Sequence, residues 1–278
     1  MIKNETIQDA VRNIVSYMMD NVMDAVLVQD PFILEQFYAQ KPLYAALVPN
    51  EIFKGSHFER RFVTRFGNAW ERLAVEVGSI NHGKCLKGYT IDGTVGDESL
   101  RRIQEVLNRL EHSTGGVKKA KPNWNDELEY ILAGGGNPLP VSVVCDIFIA
   151  SKKTKKNYAF ELKAPLPNSD QTKVSKEKMF KLLAMNEHPV DYAYFALPYN
   201  PYVNKKDYSW SFPNRWFDMK NDSAVLIGDE FWNLIGGNGT YKMFIDEINK
   251  LGKGYKERIY REFLGIEPPE GFDIETLK

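Results

Sequence analysis

The chain has 278 residues, 43% hydrophobic and 26% charged, which is ordinary globular usage and excludes disordered, collagen-like and coiled-coil classes. Two cysteines, Cys85 and Cys145, are too few and too far apart for a disulfide framework or a four-thiolate zinc site. The net charge of −1 argues at first sight against a nucleic-acid partner, yet residues 118–181 carry 12 lysines against 7 acidic side chains, net +5, between acidic ends. A polyanion meets that local field rather than the sum. No apolar run reaches the roughly 18 residues of a membrane helix, and the first residues lack the apolar stretch of a signal peptide. These features lead to the expectation of a soluble protein from a reducing, cytoplasmic compartment.

Apolar residues spaced by three and four (Ile7, Val11, Ile14, Met18, Val22, Val26) predict a helix over 5–28. A second helix is expected over 57–77, with a stripe of Phe58, Phe62, Phe66, Trp70 and Leu73, and a third over 98–112 capped by Asp97. Residues 113–122 read as a loop, and 125–133 as a short helix stopped by the triple glycine 134–136. Then the pattern changes. VSVVCDIFIA at 141–150 reads as a buried strand, KKTKKN at 152–157 as a turn, and YAFELKA at 158–164 as the return strand. A helix over 172–187, strands over 190–198 and 224–228, and helices near 229–235 and 240–264 follow. The expected class is α/β: a mixed central β-sheet flanked by helices, with helical N-terminal and C-terminal elaborations. It is expected as one domain, 1–278, with a mainly helical region over 1–115, the catalytic α/β core over 116–230 and a helical tail over 231–278.

The chemistry concentrates on the hairpin. Asp146 lies inside VVCDIFI and Glu161 inside YAFELKA, and a carboxylate on a buried strand is costly unless something pairs with it. Centring the turn between Lys153 and Thr154 pairs residues whose numbers add to 307, which sets Asp146 opposite Glu161. Directly opposed like charges repel. A divalent cation converts that repulsion into coordination, and two carboxylates, a backbone carbonyl such as that of Leu162, and waters suit Mg²⁺. Lys163, two residues after Glu161, shares its face. It can orient a metal-bound water and stabilise charge on a phosphate oxygen. The plainer alternative is a charged hairpin with a solvent-facing Glu–Lys pair. A glycosidase built on Asp146 and Glu161 is a rival, but a lysine and a basic hairpin suit phosphate better than sugar. The four histidines form no zinc-spaced cluster. The GGGN and GGNG runs do not follow strands as a phosphate loop does.

Asp146, fourteen intervening residues and then Glu161-Leu162-Lys163 resemble the PD-(D/E)XK nuclease superfamily, with Cys145 in the place of the superfamily's often absent proline. The continuation ELKAPLPNSDQTKVSKEK, residues 161–178, resembles type II restriction endonucleases of the TdeIII-like family. The resemblance is specific over 141–178, weaker over 57–77 and only general elsewhere. It implies a restriction-endonuclease-like core and Mg²⁺-dependent, site-specific cleavage of double-stranded DNA by a homodimer, at an interrupted palindrome of the GGNCC kind. It also implies a prokaryotic cytosol and a cognate DNA methyltransferase acting on the same site. Carried over by residue, Asp146 and Glu161 become metal ligands with the Leu162 carbonyl, and Lys163 the catalytic lysine. Glu71 becomes the helix carboxylate of the site, with Glu76 and Glu59 as rivals. Asn168, Gln171, Lys173 and Lys176 become candidate phosphate contacts at a loop-to-helix junction. The aromatic segment 192–217, with Lys205, Arg215 and Trp216, is the richest place for base contacts. A repair or junction-resolving nuclease of the same superfamily, and a non-catalytic DNA-binding module, are the competing functions.

Overall fold

The structure, a computed structural model, describes residues 2–113 and 118–273, with side chains from Ile7 onward. In chain order the elements are α1 (Ile2–Asp24), running into a π-helical turn at Ala25–Gln29, α2 (Leu34–Gln40), α3 (Pro42–Ala45), α4 (Asn50–His82), β1 (Gly83–Gly96), α5 (Asp97–Glu111), α6 (Trp124–Leu132), β2 (Pro138–Ser151), β3 (Asn157–Leu162), α7 (Ser169–Leu183), β4 (Tyr192–Leu197), β5 (Val225–Ile227), α8 (Asp229–Gly236) and α9 (Thr240–Arg258). Two compact units result: Met1–Leu73 with Lys242–Lys278, and Ala74–Tyr241. Among the described residues no helix is long and apolar enough to cross a membrane.

The first unit is helical. The predicted stripe of α1 is its buried face, with Ile7, Val11, Val15, Met18 and Val22 all inside. Glu247 of α9 is 2% exposed and is held by Arg12 Nε and Gln8 Nε2 of α1, each at 2.7 Å, so this carboxylate enters the interior already paired. The stretch predicted as a helix over 57–77 is the middle of one 33-residue helix, α4. Trp70 on it meets Phe244 of α9, ring centroids 5.5 Å apart.

The second unit carries a five-stranded sheet in the order β1-β2-β3-β4-β5, antiparallel from β1 to β3 and parallel from β3 to β5. The expected mixed sheet with flanking helices is what forms. The strand that sequence reading missed is β1. GKCLKGYTIDGTVG holds four glycines and two lysines and shows no clean alternation. It is an edge strand, paired among the described residues to β2 alone, where half of the residues face solvent and the pattern is weak. α7 covers one sheet face, setting Leu182 and the following Met185 against Ile91, Val143, Cys145, Phe148 and Ala159.

Asp97 does not cap α5 as expected; Gly96 holds the N-cap position. The Asp97 carboxylate instead accepts from the backbone N–H groups of Glu98 (2.8 Å) and Asn137 (3.0 Å), tying the glycine loop to the start of the helix. The triple glycine therefore does more than stop α6. Gly135 and Gly136 both have positive φ, and a Cβ on Gly96 would overlap the Gly135 carbonyl oxygen. Gly96→Ala is expected to lower stability by about 2 kcal/mol or more, as overpacking against backbone does. A denaturant midpoint unchanged from the parent would refute this.

Candidate active site

The hairpin register is the expected one. The β2–β3 ladder pairs Ile147 with Phe160, Phe148 with Ala159, Ile149 with Tyr158 and Ala150 with Asn157, all adding to 307. The ladder stops there, one step short of Asp146 and Glu161. On the other side, the β1–β2 ladder pairs every residue from Gly83 to Gly96 except Gly88, whose partner would be Asp146. Gly88 has φ +58°. Cys145 and Phe148 belong to the same core cluster although three apart, so the two-residue alternation of β2 breaks between them. This break turns Asp146 out of the regular pleat, the re-aiming that strand irregularities provide near functional sites. Its Oδ2 accepts the Leu162 N–H at 2.9 Å, replacing the missing ladder bond.

Asp146, Glu161 and Lys163 converge. Lys163 Nζ lies 2.5 Å from Asp146 Oδ2 and 3.3 Å from Glu161 Oε2. Glu161 is 1% exposed, and its carboxylate is also held by Ser175 Oγ (3.1 Å) and Lys178 Nζ (2.9 and 3.1 Å), both from α7. Burial raises the Glu161 pKa, with Lys163 pulling it back down and Asp146 adding to the rise. Burial works to lower the Lys163 pKa, but Glu161 and Asp146 outweigh it and the net shift is upward, so the ammonium form is favoured. Lys178 and Ser175 were not singled out from the sequence. Their signal was available only once β3 and α7 were packed together, because neither lies at a fixed spacing from Glu161 that the chemistry requires.

The donor set fits a hard divalent cation. Two carboxylates from adjacent strands already share one cationic group, and Mg²⁺ takes few protein ligands and keeps several waters. Among the described residues no group of three or more His, Cys, Asp or Glu gathers, so backbone and water would complete the shell. Glu71 is half-buried on the part of α4 that belongs to the first unit, whereas Glu76 lies on the part within the site-bearing unit.

The loop after β3 leads into α7 as expected. Asn168 caps that helix, its Oδ1 accepting from Gln171 N–H at 2.8 Å, and both side chains face solvent. The aromatic segment holds this loop from behind: Tyr208 Oη donates to the Pro165 carbonyl, Trp210 Nε1 to that of Pro167 and Trp216 Nε1 to Ser169 Oγ. Trp216 is fully buried, so it is a support rather than a base contact. Lys176 also departs from expectation. It is 0% exposed, 2.5 Å from Glu127, hydrogen-bonded to the Trp216 carbonyl and set among the rings of Trp124, Phe180 and Phe217. A lysine enclosed in this way cannot meet a phosphate. The sequence pattern missed this because Lys176 faces the interior from the same helix that presents Gln171 to solvent. Lys173 is paired with Glu111 at 2.5 Å, Lys205 with Glu230 at 2.9 Å, and Arg215 is exposed.

Both cysteines are buried and free. Burial pushes each thiol pKa up to about 12, with Glu161 adding to the effect at Cys145. The thiolate is the reactive form. Ellman's reagent at pH 8 is therefore expected to count no thiol in the native protein and two after unfolding; rapid native labelling of either would contradict this burial.

Residues 4–252 match the family described as type II restriction endonuclease, HinfI. Among curated proteins, the type II restriction enzyme HgiCII of Herpetosiphon aurantiacus is 24% identical over 81% of this chain and 82% of its own length. The type II restriction enzymes HgiBI and HgiEI of the same organism are each 26% identical over 81% of both chains. The finer expectation of a TdeIII-like family finds no support in these matches, which point to the HinfI family instead.

Proposed function

Because this chain belongs to the HinfI family of type II restriction endonucleases, we propose that it hydrolyses double-stranded DNA at a specific palindromic site, with Mg²⁺ held by Asp146, Glu161 and the Leu162 carbonyl. The observation that carries this reading is the single ammonium of Lys163 lying against both carboxylates. When bound there, Mg²⁺ lowers the pKa of a coordinated water and offsets charge on the scissile phosphate. Lys163, at the rim of the site and favoured as ammonium, orients the attacking water and donates to a phosphoryl oxygen as charge builds up. Lys178 and Ser175 keep the Glu161 carboxylate fixed, so the acidic pair keeps its geometry without reorganisation. The products carry 5′-phosphate and 3′-hydroxyl ends.

Phosphate contacts come from Asn168 and Gln171 at the start of α7, and from Lys173, Lys205 and Arg215. Each lysine would exchange its carboxylate partner for a phosphate. The enzyme acts as a homodimer in a prokaryotic cytosol, alongside a methyltransferase that protects the same site. Incubation of purified protein with unmethylated phage DNA tests the reading. Discrete fragments that require Mg²⁺ and disappear with EDTA are expected. Cutting confined to branched DNA would move the role to repair, and binding without cutting would reduce it to a DNA-binding module.

A further inference from the structure

The two carboxylates of the site face two ammonium groups. Asp146 and Glu161 meet Lys163 and Lys178, and among the described residues no group of three or more His, Cys, Asp or Glu forms. Lys163 directly follows β3, whereas Lys178 comes from α7. The Lys178 ammonium spans the Glu161 carboxylate, 2.9 Å from Oε1 and 3.1 Å from Oε2. Ser175 Oγ, one helical turn earlier, donates to Oε2 at 3.1 Å, and Lys163 Nζ lies 3.3 Å from the same oxygen. A carboxylate offers about four lone-pair positions in all. Glu161 Oε2 therefore has three donors around it, and Oε1 has one position left. Asp146 Oδ2 takes the Leu162 N–H and Lys163, while its Oδ1 accepts no hydrogen bond among the described residues.

We propose that, with Mg²⁺ held by Asp146 and Glu161 as in the proposed function, Lys178 is a positioning residue that stands in the place of a second metal ion and restricts the site to one divalent cation. Two-ion hydrolytic sites hold their ions about 3.5–4 Å apart. Dications that close repel strongly, and a carboxylate with one oxygen on each ion offsets the repulsion. Neither carboxylate here has both oxygens to give, because Glu161 Oε2 and Asp146 Oδ2 are already taken. Charge leads to the same count. Two carboxylates and two ammonium groups sum to zero, so one divalent ion brings the cluster to +2 before a phosphate arrives, and a second would bring it to +4. The Lys178 ammonium supplies positive charge where that second ion would. It is anchored rather than free, since α7 buries Ser175 and Lys176 before it and Met179 and Phe180 after it. Packing thus fixes the helix turn from which the Lys178 stem starts.

The test is Mn²⁺ binding to the full chain without DNA, counted from the electron paramagnetic resonance of the free ion. Mn²⁺ suits the same oxygen ligands as Mg²⁺. Ions that Asp146→Asn no longer binds are those of the site. The parent is expected to hold one such ion per chain, with the spectrum of an isolated ion. Lys178→Met removes the ammonium and frees Glu161, and is expected to admit a second ion whose spin couples to the first. Lys178→Gln, which also lacks the charge but can still donate to Glu161, covers the case in which Lys178→Met does not fold. Lys178→Arg keeps the charge and should return the count to one. Ser175→Ala removes a hydrogen bond from Glu161 but no charge, and should also stay at one; a Lys178 that merely holds the fold together would leave every count unchanged. Two coupled ions in the parent, a single ion in a folded Lys178→Met or Lys178→Gln, or a second ion in Lys178→Arg or Ser175→Ala would overturn the role of Lys178 and leave the Mg²⁺ site standing. A parent with no Asp146-dependent ion would overturn both this role and the metal assignment of the proposed function.

Discussion

Asp146→Asn and Lys163→Ala each lower single-turnover cleavage of a plasmid substrate by about 10³-fold or more, the range expected when a positioned acid–base or charge-stabilising group is lost. In the first variant the new side-chain amide keeps the shape of the native carboxylate and can still accept the Leu162 N–H, so the strand pair should stay in register. What it loses is the negative charge that faces Lys163 at 2.5 Å. A thousandfold drop corresponds to about 4 kcal/mol of transition-state stabilisation, at about 1.36 kcal/mol per tenfold. Lys163→Ala instead leaves two carboxylates without the cation they share. Glu161 retains Lys178 and Ser175, so the fold should tolerate the change. DNA binding, read by fluorescence anisotropy without metal, is expected to persist in both variants. Cleavage within tenfold of the parent in either one would remove that residue from the mechanism.

Lys176→Ala is expected to be the most damaging single change to stability outside the active site. Burial pushes the Lys176 pKa down and the Glu127 pKa up, so each group is held in its charged form chiefly by the other. Asp222, 8% exposed, adds a second buried carboxylate near the pair. Removing the lysine strands Glu127 in the interior and empties the space between Trp124, Phe180 and Phe217. Breaking one side of a buried ion pair typically costs about 3–5 kcal/mol. The double variant Lys176→Met/Glu127→Leu, which removes both charges and keeps the volume, should recover most of that loss. Urea unfolding of the three proteins decides it. A single variant within about 1 kcal/mol of the parent would mean that the pair contributes little and that the ring cage alone sets the local packing.

The hairpin of the proposed site could be read from the chain because its determinants are local. A buried strand has to be apolar throughout, so Asp146 and Glu161 stood out against their neighbours, and the lysine-rich turn set the register that places them together. The helices α1, α5 and α9 were equally legible, since an amphipathic helix writes its buried face into a 3.6-residue repeat. β1 was not legible. An edge strand is half in solvent and answers to its one neighbour, so its residues carry no strong period of their own.

What the sequence alone determined is therefore the local arrangement: an acidic pair, a lysine beside it and a strand-turn-strand frame, all fixed by short-range patterning. What only the tertiary structure decided is which charged groups meet which. Lys176 and Lys178 are two residues apart on one helix; one is sealed in an aromatic core against Glu127, and the other grips Glu161 at the site. Gln171 and Lys173, equally polar in the sequence, differ in that one faces solvent and the other is tied to Glu111. The physical reason is that a side chain's charge is local information, whereas its dielectric surroundings and its partner are set by elements far away in the chain. The apolar residues of 27–68 obey the same rule: their sequence marks them for burial, and among the described residues the fold provides nothing that buries them.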